Sequence, residues 1–437
     1  MSTASRKEIG AWALYDFANQ GFPTLIITVI FSVYFVQVVA PDPATGERMW
    51  LTAINVSSIL VALLMPILGA IADYSGRKKL LLLMTTVQCI IFTALLYFAG
   101  PGMAAYAIIL FVMANIAFEA SYVFYNAFLP EISTPRNIGR ISGYGWSAGY
   151  LGGLAALIAA LFVMRLLPET DNQNVRATIL LVAGWFAIFS IPVFLLLRER
   201  SARRTASLAQ YTIGGFRRLA GTFRQLRDYR EAVKLLIARL VYNDGLVVIF
   251  SLAGIYTAAV LGMTQEQIVV MFIAILVSAS IGAFIFGFIN DWIGGKWTIA
   301  ITLVVLIAAA LIGITATTPA QFWVAALLIG LMAGPNQAAS RSLMGTFIPT
   351  DKQAELYGFY SFSGKLAAVM GPLAYNILHG VFQSHRVAMS STLLFFSVGL
   401  LLLLAVDEHA GIRNAEKLSR QTKVQPETAQ RYTEHPG

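Results

Sequence analysis

Six ionisable side chains interrupt long apolar runs in this 437-residue chain: Asp16, Glu119, Arg239, Asp244, Arg341 and Lys365. A charge near the centre of a bilayer costs at least about 2.5–3.5 kcal/mol on insertion scales, so one that persists faces a cavity and has a partner. Three acids and three bases make a formally neutral set. At about 1.5 Å per residue, Lys365, Asp244 and Glu119 each lie roughly 15 Å inside their runs, near the midplane. Asp16, Arg239 and Arg341 lie nearer one end. Asn115, Glu119, Tyr122 and Asn126 follow i, i+4, i+7, i+11, which places them on one helical face. Such a stripe belongs in the protein interior, away from lipid. Asn19, Gln20, Asn243, Asn336 and Gln337 extend the polar lining.

This set suggests recognition of charge. A Lys365 ammonium suits a carboxylate, and Glu119 or Asp244 suits an amino group, so the pattern fits a zwitterion. An acid in a low-dielectric cavity also holds a proton more readily, making Glu119 or Asp244 a candidate carrier of a coupling proton. The competing reading is that acids and bases pair across two helix bundles as gates. For Lys365 and Glu119 both readings stand; for Asp16, Arg239 and Arg341 gating or packing is favoured. No phosphate-binding G-x-x-x-x-G-K-[ST] loop, H-E-x-x-H helix or histidine–cysteine cluster occurs. Neither catalysis nor a cofactor or metal is expected, and work must come from a gradient.

The elements that must position these groups are membrane helices. The chain is 57% hydrophobic and only 12% charged, with a mean hydropathy of +0.70. Soluble domains average about 45–50% apolar and about 25% charged, so soluble enzymes and disordered proteins are excluded. Apolar runs bounded by Pro, Gly and charge give twelve spans: 11–40, 51–72, 79–99, 104–129, 141–164, 177–197, 234–261, 267–290, 297–315, 321–345, 355–382 and 387–406. The first exceeds what a bilayer needs, which implies an extension or a tilt. With the N-terminus inside, 24 of the 31 Lys and Arg side chains fall on the cytoplasmic side and four on the other. By the positive-inside bias both termini are expected in the cytoplasm. The net charge of +9 therefore reports topology, and no nucleic-acid partner is expected. One cysteine, Cys89, excludes an internal disulfide.

These spans divide the chain into a six-helix bundle (1–197), a cytoplasmic linker (198–233), a second six-helix bundle (234–406) and a polar tail (407–437) expected to be disordered. In the linker, Phe216, Leu219, Phe223 and Leu226 recur at helical spacing among Arg217, Arg218, Arg224 and Arg227. That pattern reads as a basic amphipathic helix on the membrane face, a tether between bundles more readily than a lipid sensor. The halves also repeat. Gly69-Ala-Ile-Ala-Asp73-Tyr-Ser-Gly76-Arg77-Lys78-Lys79 between spans 2 and 3 is echoed by Gly287-Phe-Ile-Asn-Asp291-Trp-Ile-Gly294-Gly295-Lys296 between spans 8 and 9. A parallel duplication explains the match. Glycines on span 5 (Gly145, Gly149, Gly152, Gly153) and span 11 (Gly364, Gly371) form small faces suited to close helix packing.

The Gly-x-x-x-Asp-x-x-Gly-Arg-Lys-Lys loop, repeated in a twelve-span chain, resembles the signature of the major facilitator superfamily. Trp12-Ala-Leu-Tyr-Asp16-Phe-Ala-Asn19, Tyr125-Asn-Ala-Phe-Leu-Pro130-Glu131, Gly143-Tyr-Gly-Trp146, Tyr242-Asn-Asp244-Gly and Ser340-Arg341-Ser resemble its vacuole-effluxer branch, whose fungal members are implicated in amino-acid export from the vacuole. The resemblance implies an all-α membrane fold of two six-helix bundles, with spans 1, 4, 7 and 10 around a central cavity. It also implies gating roles for Asp73, Gly76, Arg77, Lys78 and Asp291, because in this superfamily the loop stabilises one face-closed state. Two positions depart from the pattern: Gly295 stands opposite Arg77, and span 4 carries Glu119 where many proton-coupled exporters have an arginine.

The expected protein is a secondary transporter that works by alternating access in a bacterial cytoplasmic membrane. It would act as a monomer, moving a small polar solute, first an amino acid and first outward, with membrane lipids as surroundings. A lipid or amphiphile transporter of the same fold is the alternative within the class. A non-transporting receptor or assembly partner is the alternative outside it.

Overall fold

The computed structural model describes residues 4–200, 208–224 and 226–433, and these are helical apart from short connections. Twelve long helices cross the body: α1 (Arg6–Val39), α2 (Pro43–Ser75), α3 (Lys78–Phe98), α4 (Ala104–Ile132), α5 (Ile138–Leu166) and α6 (Thr170–Leu196), then α7 (Arg230–Leu261), α8 (Gln265–Ile293), α9 (Gly295–Thr315), α10 (Pro319–Thr346), α11 (Gln353–Phe382) and α12 (His385–Leu404). All but α11 are apolar and long enough to cross a bilayer on composition alone. α11 is 30 residues long but more polar, since it carries Glu355 and Lys365.

Local chemistry sets the helix ends. Asp42 caps α2 by accepting from the Thr45 backbone N–H at 2.9 Å, and Thr264 and Gln267 form a reciprocal capping box at the start of α8. Gly76 ends α2 with φ +65°, a left-handed turn that a side chain would resist. The length of α1 is absorbed within the helix. Its Phe22–Val29 and Phe35–Val39 segments form wide π-type turns, the first with Pro23 in its opening turn, and Thr28 Oγ1 donates back to the Pro23 carbonyl at 2.9 Å.

The outward surface is studded with exposed Leu63, Phe162, Ile188, Leu195 and Leu401, a continuous apolar coat of the kind that lipid covers. Two six-helix bundles meet where α2 packs on α11 and α5 on α8. These contacts are backbone-close. A Cβ on Gly69 would sit 2.2 Å from the Ala354 carbonyl oxygen, and one on Gly143 would sit 2.5 Å from that of Ala283. The hydrogen bonds and ion pairs that Lys78, Gly139, Ser147, Asp16, Asp73 and Glu119 make with the second half lie between the linker face, where both termini emerge, and the level of Lys365.

Two further helices cover that face. The linker helix (Leu208–Arg224) lies against the end of α2; the Phe223 and Leu226 side chains of its expected apolar stripe lie outside the described residues. The tail is helical from Glu408 to Thr433, contrary to the disorder its composition suggested. Docking explains the difference. Glu408 accepts from the backbone N–H groups of Gly295 and Lys296 at 2.9 and 3.0 Å, Gly411 abuts Phe347, and Ser419 Oγ accepts from the Thr350 N–H at 3.1 Å.

Candidate functional site

The two loop aspartates act on opposite halves. Asp73, at the end of α2, accepts from the first backbone N–H groups of α11: Ala354 at 3.0 Å and Glu355 at 2.8 Å. Asp291, at the end of α8, accepts from Gly139 at 2.8 Å and Arg140 at 3.3 Å at the start of α5, and Arg140 Nε reaches it at 2.6 Å. Orphan N–H groups and the positive helix end both favour a carboxylate there. Lys78 adds a third tie. It is buried, ion-paired to Glu131 of α4 and 2.5 Å from Gln353 Oε1 at the start of α11. Arg77 turns the other way, stacking 5.8 Å from the ring of Tyr211 on the linker helix.

One layer deeper, Arg341 leaves α10 and enters a pocket built by the first half. Its Nη1 is 2.9 Å from Asp16 Oδ2 and 3.3 Å from Asn126 Oδ1, its Nη2 donates to the Ser142 carbonyl at 2.7 Å, and its Nε donates to Ser142 Oγ at 3.0 Å. The guanidinium also lies 4.9, 5.5 and 5.7 Å from the rings of Trp12, Trp146 and Tyr125. Trp12 is itself fixed by stacking on Tyr125 at 4.5 Å and by donating to its carbonyl at 3.1 Å. A fork of donors satisfied on every side in an aromatic box is the setting in which a buried arginine is tolerated.

Deeper still, Lys365 Nζ of α11 lies 2.5 Å from Glu119 Oε1 of α4. Ser361 Oγ is 3.5 Å from Glu119 Oε2. Lys365 keeps 23% of its side chain exposed, whereas the Arg341–Asp16 pair keeps almost none. This charge pair between the halves is thus partly exposed, unlike the Arg341–Asp16 pair.

The other sequence candidates are distributed around these layers. Tyr122 sits one turn from Glu119, partly buried, and its buried hydroxyl has no hydrogen-bond partner among the described residues; both amide atoms of Asn19 also lack one. Asn126 joins the Arg341 layer. Asn115 Nδ2 donates to Ser57 of α2 at 2.8 Å, and Asn336 Nδ2 to Thr302 of α9 at 2.9 Å, so these two asparagines tie helices within their own halves. Arg239 is likewise internal to the second half: it donates to the Tyr360 carbonyl and to Ser363 Oγ at 3.1 and 2.9 Å and lies 3.7 Å from the Tyr360 ring. Asp244 is fully buried on α7 against Gly371 of α11, where a Cβ would lie 3.2 Å from its Oδ1, and it makes no ion pair among the described residues. Gly371 is six residues beyond Lys365, about 9 Å along the helix, so Asp244 is not part of the Lys365–Glu119 pair.

The profile of the family described as "Vacuole effluxer Atg22 like" matches residues 47–416. The chain belongs to that family. It is 26% identical over 412 residues to the "Uncharacterized MFS-type transporter YxiO" of Bacillus subtilis, covering 92% of this chain and 95% of that one. It is 21% identical over 515 residues to "Autophagy-related protein 22-1" of Neosartorya fischeri, covering 96% and 83%. Among solved structures, the human organic anion transporter MFSD10 superposes with a TM-score of 0.71 at 15% identity, covering 91% of this chain and 99% of that one. The proton:xylose symporter XylE superposes with a TM-score of 0.70 at 12% identity, over 94% and 98%. At these identities the structural likeness establishes the major facilitator fold. The protein is a major facilitator-type transporter of the vacuole-effluxer branch.

Several residues that build the layers were not singled out from sequence. Glu131 appeared only within a motif, and Gln353, Ser142 and Arg140 carried no signal, because each acts through a backbone or partner brought near by bundle packing. Trp12 and Trp146 were legible as motif aromatics, but their place around Arg341 requires the fold.

Proposed function

We propose that this transporter moves a small zwitterionic solute, an amino acid first, by alternating access around the Lys365–Glu119 pair. The observation that carries the reading is that this pair joins α4 of one half to α11 of the other and is partly exposed. A carboxylate competes with Glu119 for Lys365, and an ammonium competes with Lys365 for Glu119. A zwitterion satisfies both at once and replaces a bond between the halves with two bonds through itself. Proton and ammonium then alternate on Glu119: the carboxyl takes up a proton when the solute has left and gives it up to the next ammonium, so protons serve as the coupling ion. The linker face is assigned to the cytoplasm of a bacterial cell, on the bias of its cations. On that assignment the state described here is closed to the cytoplasm, with export as the working direction.

The testing experiment is a thermal-stability screen of the purified protein against amino acids, organic acids, sugars, nucleosides and lysolipids. A ligand at about 100 times its Kd stabilises the folded state by about 2.7 kcal/mol. Stabilisation by an amino acid that disappears in Lys365→Ala supports the reading. Stabilisation by lysolipids alone overturns it and makes the central charges gates of an amphiphile transporter.

A further inference from the structure

The linker helix has two unlike faces. Gly215, Arg218, Leu219 and Thr222, at i, i+3, i+4 and i+7, face the protein. A Cβ on Gly215 would lie 2.5 Å from Ile71 Cγ1, and one on Gly214 would lie 2.5 Å from the Tyr74 ring, so the helix is pressed against the last turn of α2. Farther along, Arg218 pairs with Asp351 at 2.7 Å and Glu355 at 3.4 Å, and Lys352 Nζ donates to Thr222 Oγ1 at 2.5 Å. Burial pulls the Lys352 ammonium below its ordinary range, so that contact is made out of water. One helix therefore grips α2 of the first half and the α10–α11 connection of the second.

The opposite face carries Ile213, Phe216, Arg217, Ala220 and Arg224, again one stripe at i, i+3, i+4, i+7 and i+11, and all five are exposed. Half of the surface of Ile213 and of Phe216 is bare. Large apolar groups alternating with arginines suit neither bulk water nor the hydrocarbon core. They suit the boundary between acyl chains and headgroups. The depth agrees. Ile71 and Tyr74 are within four residues of the end of α2, about 6 Å of helix, which puts the linker helix at the level where a spanning helix leaves the membrane. Trp292 and Trp297, strongly exposed on either side of Lys296 at the same end of the second half, mark the same boundary.

We infer that the outer face of the linker helix is seated in an anionic phospholipid layer. Ile213 and Phe216 enter the upper acyl region, Arg217 and Arg224 meet lipid phosphates, and this seating holds the linker face of the transporter closed. A ligand shifts a conformational equilibrium only through unequal affinity for the two states. Opening this face separates α2 from the α10–α11 connection, and the helix cannot keep both grips. Lipid that fixes the helix where it spans both halves therefore favours the closed state. The site is separate from the Lys365–Glu119 pair and does not depend on the identity of the cargo.

The test uses the full chain in nanodiscs of phosphatidylglycerol or phosphatidylcholine. Cys89 is fully buried, so Ile213→Cys offers one reactive thiol for an environment-sensitive fluorophore. The label is expected to be shielded from aqueous iodide in phosphatidylglycerol and much less so in phosphatidylcholine. Arg217→Gln and Arg224→Gln are each expected to weaken the shielding about fivefold without altering thermal unfolding. Separately, the alkylation of Ser147→Cys, buried between α5 and α8, is expected to be slower in phosphatidylglycerol, and the difference lost in the double Arg variant. A label equally open to iodide in both lipids overturns the seating and leaves the face free for a soluble partner. Shielding equal in both lipids and unmoved by the Arg variants overturns it in favour of a protein contact. Charge-dependent shielding with unchanged alkylation overturns the control of the gate.

Discussion

Asp73 and Asp291, 218 residues apart, do the same thing in opposite directions: each sits near the end of a helix of its own half and caps the first N–H groups of a helix in the other. The duplication seen in the loop sequences is thus a pair of pseudo-symmetric latches, α2 onto α11 and α8 onto α5. The copies differ in their reinforcement. The first has the buried Lys78–Glu131–Gln353 tie, whereas the second has Arg140, whose side chain is 41% exposed.

Loss of either latch charge should loosen the linker face. Hydrogen bonds to a charged group contribute about 1.5–3 kcal/mol each, and asparagine retains the shape and one acceptor. Asp73→Asn and Asp291→Asn should each raise the open population roughly tenfold, with the double variant exceeding either. The check is the alkylation rate of Ser147→Cys, which should rise in step. An unchanged rate with abolished ligand stabilisation would instead make Asp73 a binding residue.

Arg341 should be the most costly of these side chains to truncate. Removing one partner from a buried pair leaves an uncompensated charge and costs about 3–5 kcal/mol. Arg341→Ala should therefore lower the thermal unfolding temperature markedly, and Arg341→Lys should recover only part, since a lysine cannot supply the fork that meets both Asp16 and Ser142. Adding Asp16→Asn to Arg341→Ala should restore some stability by removing the orphaned charge. If the double variant is no better than Arg341→Ala, the Trp12–Tyr125–Trp146 box is the dominant partner.

Closure depends on backbone contact at glycine. Gly69→Ala places a Cβ 2.2 Å from a carbonyl oxygen of α11, and no flexible side chain is there to yield. Gly69→Ala should disfavour the closed linker face and speed Ser147→Cys alkylation, while Gly184→Ala, which meets nothing within 4 Å, should leave it unchanged. Equal behaviour of the two variants would show that α2 and α11 separate without cost.

The fold was readable in the sequence because each of its signals is local: apolar runs set the spans, and the repeated loop reveals the duplication. The acids and bases of the interior were readable as a set, since charge in an apolar run is rare, but their pairing was not. Glu119 with Lys365 and Asp16 with Arg341 are separated by 246 and 325 residues, and nothing in spacing distinguishes these partners from Asp244 or Arg239. The polar stripe on α4 was correctly placed on one face, yet that face crosses three environments: Asn115 ties to α2, Glu119 meets α11, and Asn126 reaches Arg341. The tail was misread for a related reason. Its composition is that of a disordered segment, and its order comes from contacts such as Glu408 on the start of α9 that only the assembled bundle provides.

The Lys365–Glu119 pair separates two kinds of ligand response. If a zwitterion bridges it, Lys365→Met should abolish stabilisation by amino acids and by simple carboxylates alike. Glu119→Gln should retain the response to carboxylates and lose about tenfold or more in amino-acid affinity, the difference being one charge-assisted hydrogen bond. The exchange Glu119→Lys with Lys365→Glu keeps the bond between the halves but reverses its polarity, so it should preserve folding while disturbing recognition. Counter-transport of protons adds a second readout. In proteoliposomes the amino-acid flux should respond to an imposed proton gradient in the wild type and become flat against it in Glu119→Gln, because proton and substrate ammonium alternate on that carboxyl. A flux equally flat in both proteins would assign the coupling elsewhere, with the buried Asp244 as the next group to substitute.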